Sequence, residues 1–230
     1  MKMGFEKMMV PNSMENLISR EELDRAFDAR FPKAVKEKLA AAKVAVAGLG
    51  GLGSNIAVML ARSGVGHLRL VDFDTVDTTN LNRQMYGIRH IGKKKTEAIK
   101  EILMEINPYL DICVIDRKVT RENAAEIFDG YDIVCEAFDK AAEKAMLINS
   151  LLSKCKDTMI VSGNGMAGYG DANRIVTRQR LRRLYVCGDA SADVDDGLGL
   201  MAPRVAICAG HQANKVIELI LGYEIDKNET

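Results

Sequence analysis

The chain has 230 residues, 47% of them hydrophobic, and its 32 Lys and Arg balance 32 Asp and Glu. That length supports one well-cored domain, or one domain with arms, and the charge balance leaves no long-range field advertising nucleic acid or an acidic surface. No apolar run approaches the roughly 20 residues that span a bilayer, and MKMGFEKMMVPNSMENL has no sustained apolar h-region, so we expect no membrane segment, no secretory signal and a cytoplasmic protein.

In chain order, residues 1–20 read as a loose arm. Glu21–Ala42 carries a helical pattern, with Leu23, Phe27, Phe31, Val35 and Leu39 recurring at fourfold spacing. Val44, Val46 and Ala47 form the apolar run of a parallel strand buried on both faces. Gly48, Gly50 and Gly53 then fit G-x-G-x-x-G, with an additional Gly51. Glycine permits the tight turn, the approach of backbone to phosphate and close helix packing, and the helix starting near Gly51–Ser54 aims free N–H groups at the turn. Leu68, Leu70 and Val71 make a second strand closed by Asp72, about 20 residues beyond the glycines, where a carboxylate accepts hydrogen bonds from a ribose.

Asp74, Asn80, Asn82, Arg83 and Gln84 crowd the following loop, and Lys93, Lys94 and Lys95 open a helix closed by Asn107–Pro108. Ile112–Ile115, Ile133–Cys135 and Met159–Ser162 read as strands, with another near Arg174–Thr177. Ala141–Leu152 and Val205–Leu221 read as helices, the last stopped by Gly222. The alternation predicts an α/β, Rossmann-like fold: a mostly parallel sheet with helices on both faces. We expect residues 21–230 to form one nucleotide-binding domain, with a crossover loop at about 178–204.

The loop after Asp72 is unusual for a dehydrogenase, which needs room for a nicotinamide. A guanidinium fork and a compact ammonium instead suit a triphosphate that must be gripped and cleaved. Lysines at a helix N-terminus are mildly unfavourable, so at least one of the three has a reason to be there. His67, His90 and His211 lack metal-ligand spacing; His67 reads as a surface residue, His90 as structural, and His211 with Gln212 as hydrogen-bonded within the packing. Gly163, Gly165, Gly168 and Gly170 mark a loop that is either a plain connection or an entrance for a substrate tail.

GLGGLGSN, VDFDTVDTTNLNRQ and GKKK resemble the ThiF/MoeB family, bacterial relatives of the ubiquitin-activating enzymes. The resemblance covers about Ala40–Leu152 well and the last helix more loosely. It implies Mg·ATP binding and adenylylation of the C-terminal carboxylate of a small sulfur-carrier protein. By motif, Gly48, Gly50, Gly51 and Gly53 would form the phosphate turn, and Asp72 would hold the ribose beside Asp74. Asn80, Arg83 and Gln84 would hold phosphates, Lys95 the β/γ region, and Asp139 the magnesium. The family also places an N-terminal arginine over a partner subunit's ATP, which implies a homodimer; Arg30 is the candidate and Arg25 the second choice. Family relatives often carry two C-x-x-C pairs for a structural zinc. This chain has none, so no structural zinc is expected, and the short chain is closest to short forms of ThiF, which act on a ThiS-like carrier in thiamine thiazole biosynthesis.

Of the five cysteines, Cys113, Cys135 and Cys208 read as core and Cys155 shows no chemical partner. Cys187 lies in what reads as a polar, glycine-containing loop near Arg180, Arg182 and Arg183, which would lower a thiol's pKa. Some family members use a loop cysteine for a thioester or acyl-persulfide, so Cys187 is a catalytic candidate by position, against an ordinary exposed or half-buried thiol. Two other functions stay open. One is the related tRNA-modifying dehydratase, which a neutral charge disfavours. The other is an NAD-dependent oxidoreductase or a binding module, which has no evident use for Asn80–Gln84 and Asp139.

Overall fold

The computed structural model describes residues 18–191 and 197–222, so the first seventeen residues of the expected arm and part of the expected crossover loop lie outside it. Seven strands form one sheet: β1 (Lys43–Ala47), β2 (His67–Asp72), β3 (Asp111–Asp116), β4 (Ile133–Glu136), β5 (Met159–Gly163), β6 (Val176–Leu181) and β7 (Leu184–Gly188). Their order is β3-β2-β1-β4-β5-β7-β6, parallel throughout except for the antiparallel β6–β7 pair at one edge. The helices are α1 (Arg20–Asp28), α2 (Lys33–Ala41), α3 (Gly51–Arg62), α4 (Lys95–Ile106), α5 (Ala124–Phe128), α6 (Ala141–Lys154) and α7 (Ala202–Leu221). None of these is long and apolar enough to cross a membrane.

Strand alternation divides the core between the two sheet faces. Val44 and Val46 of β1 join Ile56 and Leu60 of α3, Ile99 and Leu103 of α4, and Val205 and Val216 of α7. Ala45 and Ala47, pointing the other way, join Phe128 of α5 and Leu147 and Leu151 of α6. Helix α7 ends at Gly222, whose left-handed φ of 70° closes the C-cap as the sequence predicted.

Three local expectations need correction. The single helix over Glu21–Ala42 is two, because Pro32 caps α2 and disfavours helical backbone at Phe31 before it. Helix α5 was not expected. The range 178–204 is not one loop: it holds most of β6 and all of β7. Strand β6 carries Arg178 and Arg180 because it is the exposed edge, and those charges hide its strand pattern.

Candidate active site at the switch point of the sheet

Strands β1 and β4 are neighbours, but their connections leave in opposite directions, β1 towards β2 and β4 towards β5. Such a switch point opens a crevice outside the carboxyl ends of the strands. Here it holds a cavity of about 420 Å³. The glycine turn forms its floor. Gly48 has φ +89°, and a Cβ there would stand 2.8 Å from the Ala137 carbonyl oxygen. A Cβ at Gly53 would fall 1.8 Å from the Gly48 oxygen, so Gly53 lets α3 pack on the turn and does not itself line the cavity. Helix α3 has no side-chain N-cap, which leaves its first-turn N–H groups for an anion.

Asp72, buried at the end of β2, binds the turn together. Its Oδ2 accepts the Leu49 N–H at 2.6 Å, and its Oδ1 accepts the N–H groups of Phe73 at 2.7 Å and Asp74 at 2.8 Å. Tyr86 adds a second tie, donating its hydroxyl to the Leu49 carbonyl at 2.8 Å.

The loop after β2 brings its polar groups to the cavity. Asn80 is held by the Asp77 N–H, 3.0 Å from its Oδ1. Arg83 donates Nη1 to the Thr79 carbonyl at 3.1 Å and to Asn82 Oδ1 at 2.8 Å, and its aliphatic stem passes beside Gly51. Gln84 is buried with its Oε1 unpartnered, an acceptor left for a ligand hydrogen or water. The three lysines separate by role. Lys93 pairs with Glu101 and Lys94 with Asp116, whereas Lys95 turns inward, buried, its Nζ 2.8 Å from Asp74 Oδ2.

Across the crevice, the four residues after β4 form the opposite wall. Asp139 stands exposed at the mouth, and among the described residues it carries no hydrogen bond or ion pair. Behind it, fully buried Glu136 accepts from Lys144 Nζ at 2.5 Å and Ser162 Oγ at 2.6 Å through Oε2, and from the Phe138 N–H at 2.7 Å through Oε1. The sequence reading missed this knot; the only signal for it was a carboxylate directly after the apolar run Ile133–Cys135.

Gly48, Gly50, Gly51, Asp72, Asp74, Asn80, Arg83, Gln84, Lys95 and Asp139 thus line one cavity. Residues 23–230 of the chain match the ThiF family. The chain belongs to the ThiF family. The molybdopterin-synthase adenylyltransferase of Escherichia coli is 30% identical over 213 residues, 89% of this chain and 82% of that protein. The tRNA threonylcarbamoyladenosine dehydratase of Haemophilus influenzae is 38% identical over 142 residues, 60% of this chain but 53% of its own length. The adenylyltransferase and sulfurtransferase UBA4 of Lodderomyces elongisporus is 31% identical over 85% of this chain, which spans 44% of that protein. Among solved structures, the E. coli dehydratase TcdA in complex with ATP superposes with a TM-score of 0.79 at 26% identity, over 90% of this chain and 98% of that one.

Two residues expected from the ThiF resemblance lie away from the cavity. Arg30 sits exposed in the turn after α1, and Arg25 is exposed on α1; neither lines the site within one chain. Cys187 is corrected more sharply. It lies on β7, not in a loop, with no exposed surface, and burial pushes its thiol up to about 11. Nor do the neighbouring arginines act on it as expected. Arg183 donates to the carbonyls of Leu152, Cys155 and Thr158, closing the end of α6. The Cys187 thiol lies 3.3 Å from Thr177 Oγ1.

Proposed function

We propose that this ThiF-family chain is an adenylyltransferase that uses ATP to activate a carboxylate, the C-terminal glycine of a small ubiquitin-like sulfur carrier of the ThiS type, for thiamine thiazole biosynthesis. The observation that carries the reading is the convergence of Arg83, buried Lys95 and unpaired Asp139 on one glycine-turn cavity at the switch point. A carboxylate is a poor electrophile. Its oxygen attacks the α-phosphorus, the bond from that phosphorus to the bridging oxygen breaks, and pyrophosphate leaves with the bonding electrons. The protein has little covalent work: it aligns the carboxylate and neutralises charge on the phosphates. The N–H groups of α3 and the fork of Arg83 face the phosphate chain, and Lys95 exchanges its bond to Asp74 for one to phosphate.

Magnesium fits the donor set at the mouth. Asp139 is a hard oxygen ligand without a competing partner, and among the described residues no three His, Cys, Asp or Glu side chains gather as a protein cage. A magnesium ion there would take Asp139 as its protein carboxylate and the rest of its oxygens from nucleotide and water. When bound, it would neutralise charge on the leaving pyrophosphate. An arginine from a second copy, Arg30 or Arg25, would complete the site in a homodimer.

A second reading is favoured by one observation, the match to 98% of the TcdA chain. In it the activated carboxylate is carried on tRNA. The test is pyrophosphate exchange with ATP, driven either by a Gly-Gly-ended carrier or by modified tRNA. Arg83→Ala and Asp139→Ala should each lower carboxylate-dependent exchange about 10²–10³-fold with the fold intact. Near-normal exchange in both variants would sink the assignment, and exchange driven by tRNA alone would replace the carrier.

A further inference from the structure

We propose that Lys144, acting through Glu136, is a positioning residue that sets Asp139 against the glycine turn. The inference rests on the reading of the cavity as a metal–nucleotide site. An ionised carboxylate in a protein interior is costly unless it is paired and hydrogen-bonded. Glu136 meets that demand by gathering three separate elements: Lys144 from α6, Ser162 from β5 and the Phe138 N–H from the loop. Its own backbone carbonyl accepts Gln212 Nε2 of α7 at 3.2 Å.

The segment this knot controls is short. Only Ala137–Lys140 separate β4 from α6. Ala137 donates its N–H to the Ala47 carbonyl of β1 at 2.8 Å, Phe138 donates to Glu136, and α6 begins at Ala141, one turn before Lys144. Asp139 lies between these fixed points and has no side-chain tie of its own among the described residues. Its place therefore comes entirely from its neighbours. The glycine turn leaves no slack on the other side, since even a methyl at Gly48 would press on Ala137.

Lys144 differs from a purely internal brace in one respect. Its side chain keeps 18% of its surface and lines the same cavity, so the cation that balances Glu136 also faces the space proposed for the nucleotide. Groups that orient a metal ligand from behind typically change metal affinity about 10–100-fold when lost.

The test compares Lys144→Met, Lys144→Arg and Ser162→Ala by calorimetric titration of ATP at graded magnesium, with thermal unfolding in parallel. Lys144→Met should raise the magnesium concentration needed for half-maximal tightening of ATP binding about tenfold, and metal-free ATP binding should fall by a smaller factor. Lys144→Arg should restore most of the magnesium response. Ser162→Ala removes one bond to the same carboxylate without touching the cavity, and it should shift the response in the same direction if Lys144→Met fails to fold. The proposal is overturned if folded Lys144→Met keeps the wild-type magnesium response, or if Ser162→Ala leaves it unmoved where Lys144→Met does not fold. Asp139→Ala separates the two levels: a wild-type magnesium response in that variant removes the metal reading itself, whatever Lys144 does.

Discussion

Asp72 is expected to hold a ribose, yet its carboxylate already accepts three backbone N–H groups, so its loss should be felt before any nucleotide is added. In Asp72→Ala the Leu49 N–H, at a residue with no exposed surface, loses its acceptor where water does not reach. An orphaned buried donor costs about 1–3 kcal/mol. Phe73 and Asp74 are exposed, so water replaces their lost partner at about 0.5–1 kcal/mol each or less. The sum is roughly 1–5 kcal/mol, which for a domain of this size lowers Tm by about 2–20 °C. Asp72→Asn keeps one oxygen for Leu49 and should lose no more than about half of that. Differential scanning calorimetry without nucleotide measures the brace, and ATP titration at a temperature where both variants are folded measures the ribose contact. If Asp72→Ala unfolds at the wild-type temperature while ATP binding disappears, the carboxylate serves only the ligand and the argument from the turn fails.

With its thiol pushed up to about 11, Cys187 at pH 8 is thiolate in roughly one molecule per thousand, so native alkylation mapped by mass spectrometry should spare it and label half-buried Cys113 first. Prompt labelling of Cys187 would reopen its catalytic candidacy. Burial holds His90 below its ordinary 6.5, with Arg89 adding to the effect and Glu101 opposing it. The unfolded chain therefore takes up a proton that the folded chain refuses, and stability is complete above about pH 6.5 and declines as pH falls below it. The Tm of His90→Gln should fall less steeply between pH 7 and 5.5 than that of the wild type; parallel slopes would exclude His90 as a contributor. If an arginine is supplied in trans, mixing inactive Arg30→Ala with inactive Arg83→Ala should restore about a quarter of wild-type exchange, since one site per mixed dimer is complete. No recovery, with subunit exchange verified, would point to Arg25 or to a site complete in one chain.

The parts of the site legible in the sequence are those encoded locally. The glycine turn, Asp72 and the Asn80–Gln84 loop lie on one strand–helix–strand unit, and each residue's type states its chemistry. Residue type alone left three lysines and the motif resemblance pointed to Lys95; packing separates them, because Glu101 further along α4 occupies Lys93 and Asp116 at the end of β3 occupies Lys94. The Glu136 knot was illegible for a similar reason. Its partners Lys144 and Ser162 arrive from α6 and β5, and nothing in either segment announces the meeting. Cys187 misled through composition: a five-residue strand lies between an arginine-rich edge and an acidic segment, and the flanks outweighed Leu184–Cys187. Arg30 is a different case, since a contact between two copies, if Arg30 makes one, would leave no trace in the geometry of one.

The sheet order also fixes when the cavity can exist during folding. β1 pairs with β2 through nearby residues, Val44 with Leu68, but its other neighbour arrives far later, when Val44 meets Ile133. The N-terminal half can assemble β1, β2 and β3 with one wall of the crevice before the opposite wall has been made. Pairings of such long sequence separation are slow, because loop closure precedes the contacts that reward it. A nascent or truncated chain ending before β4 would thus carry the whole glycine turn and Asp72 and still present a half-site, open to solvent along the central strand.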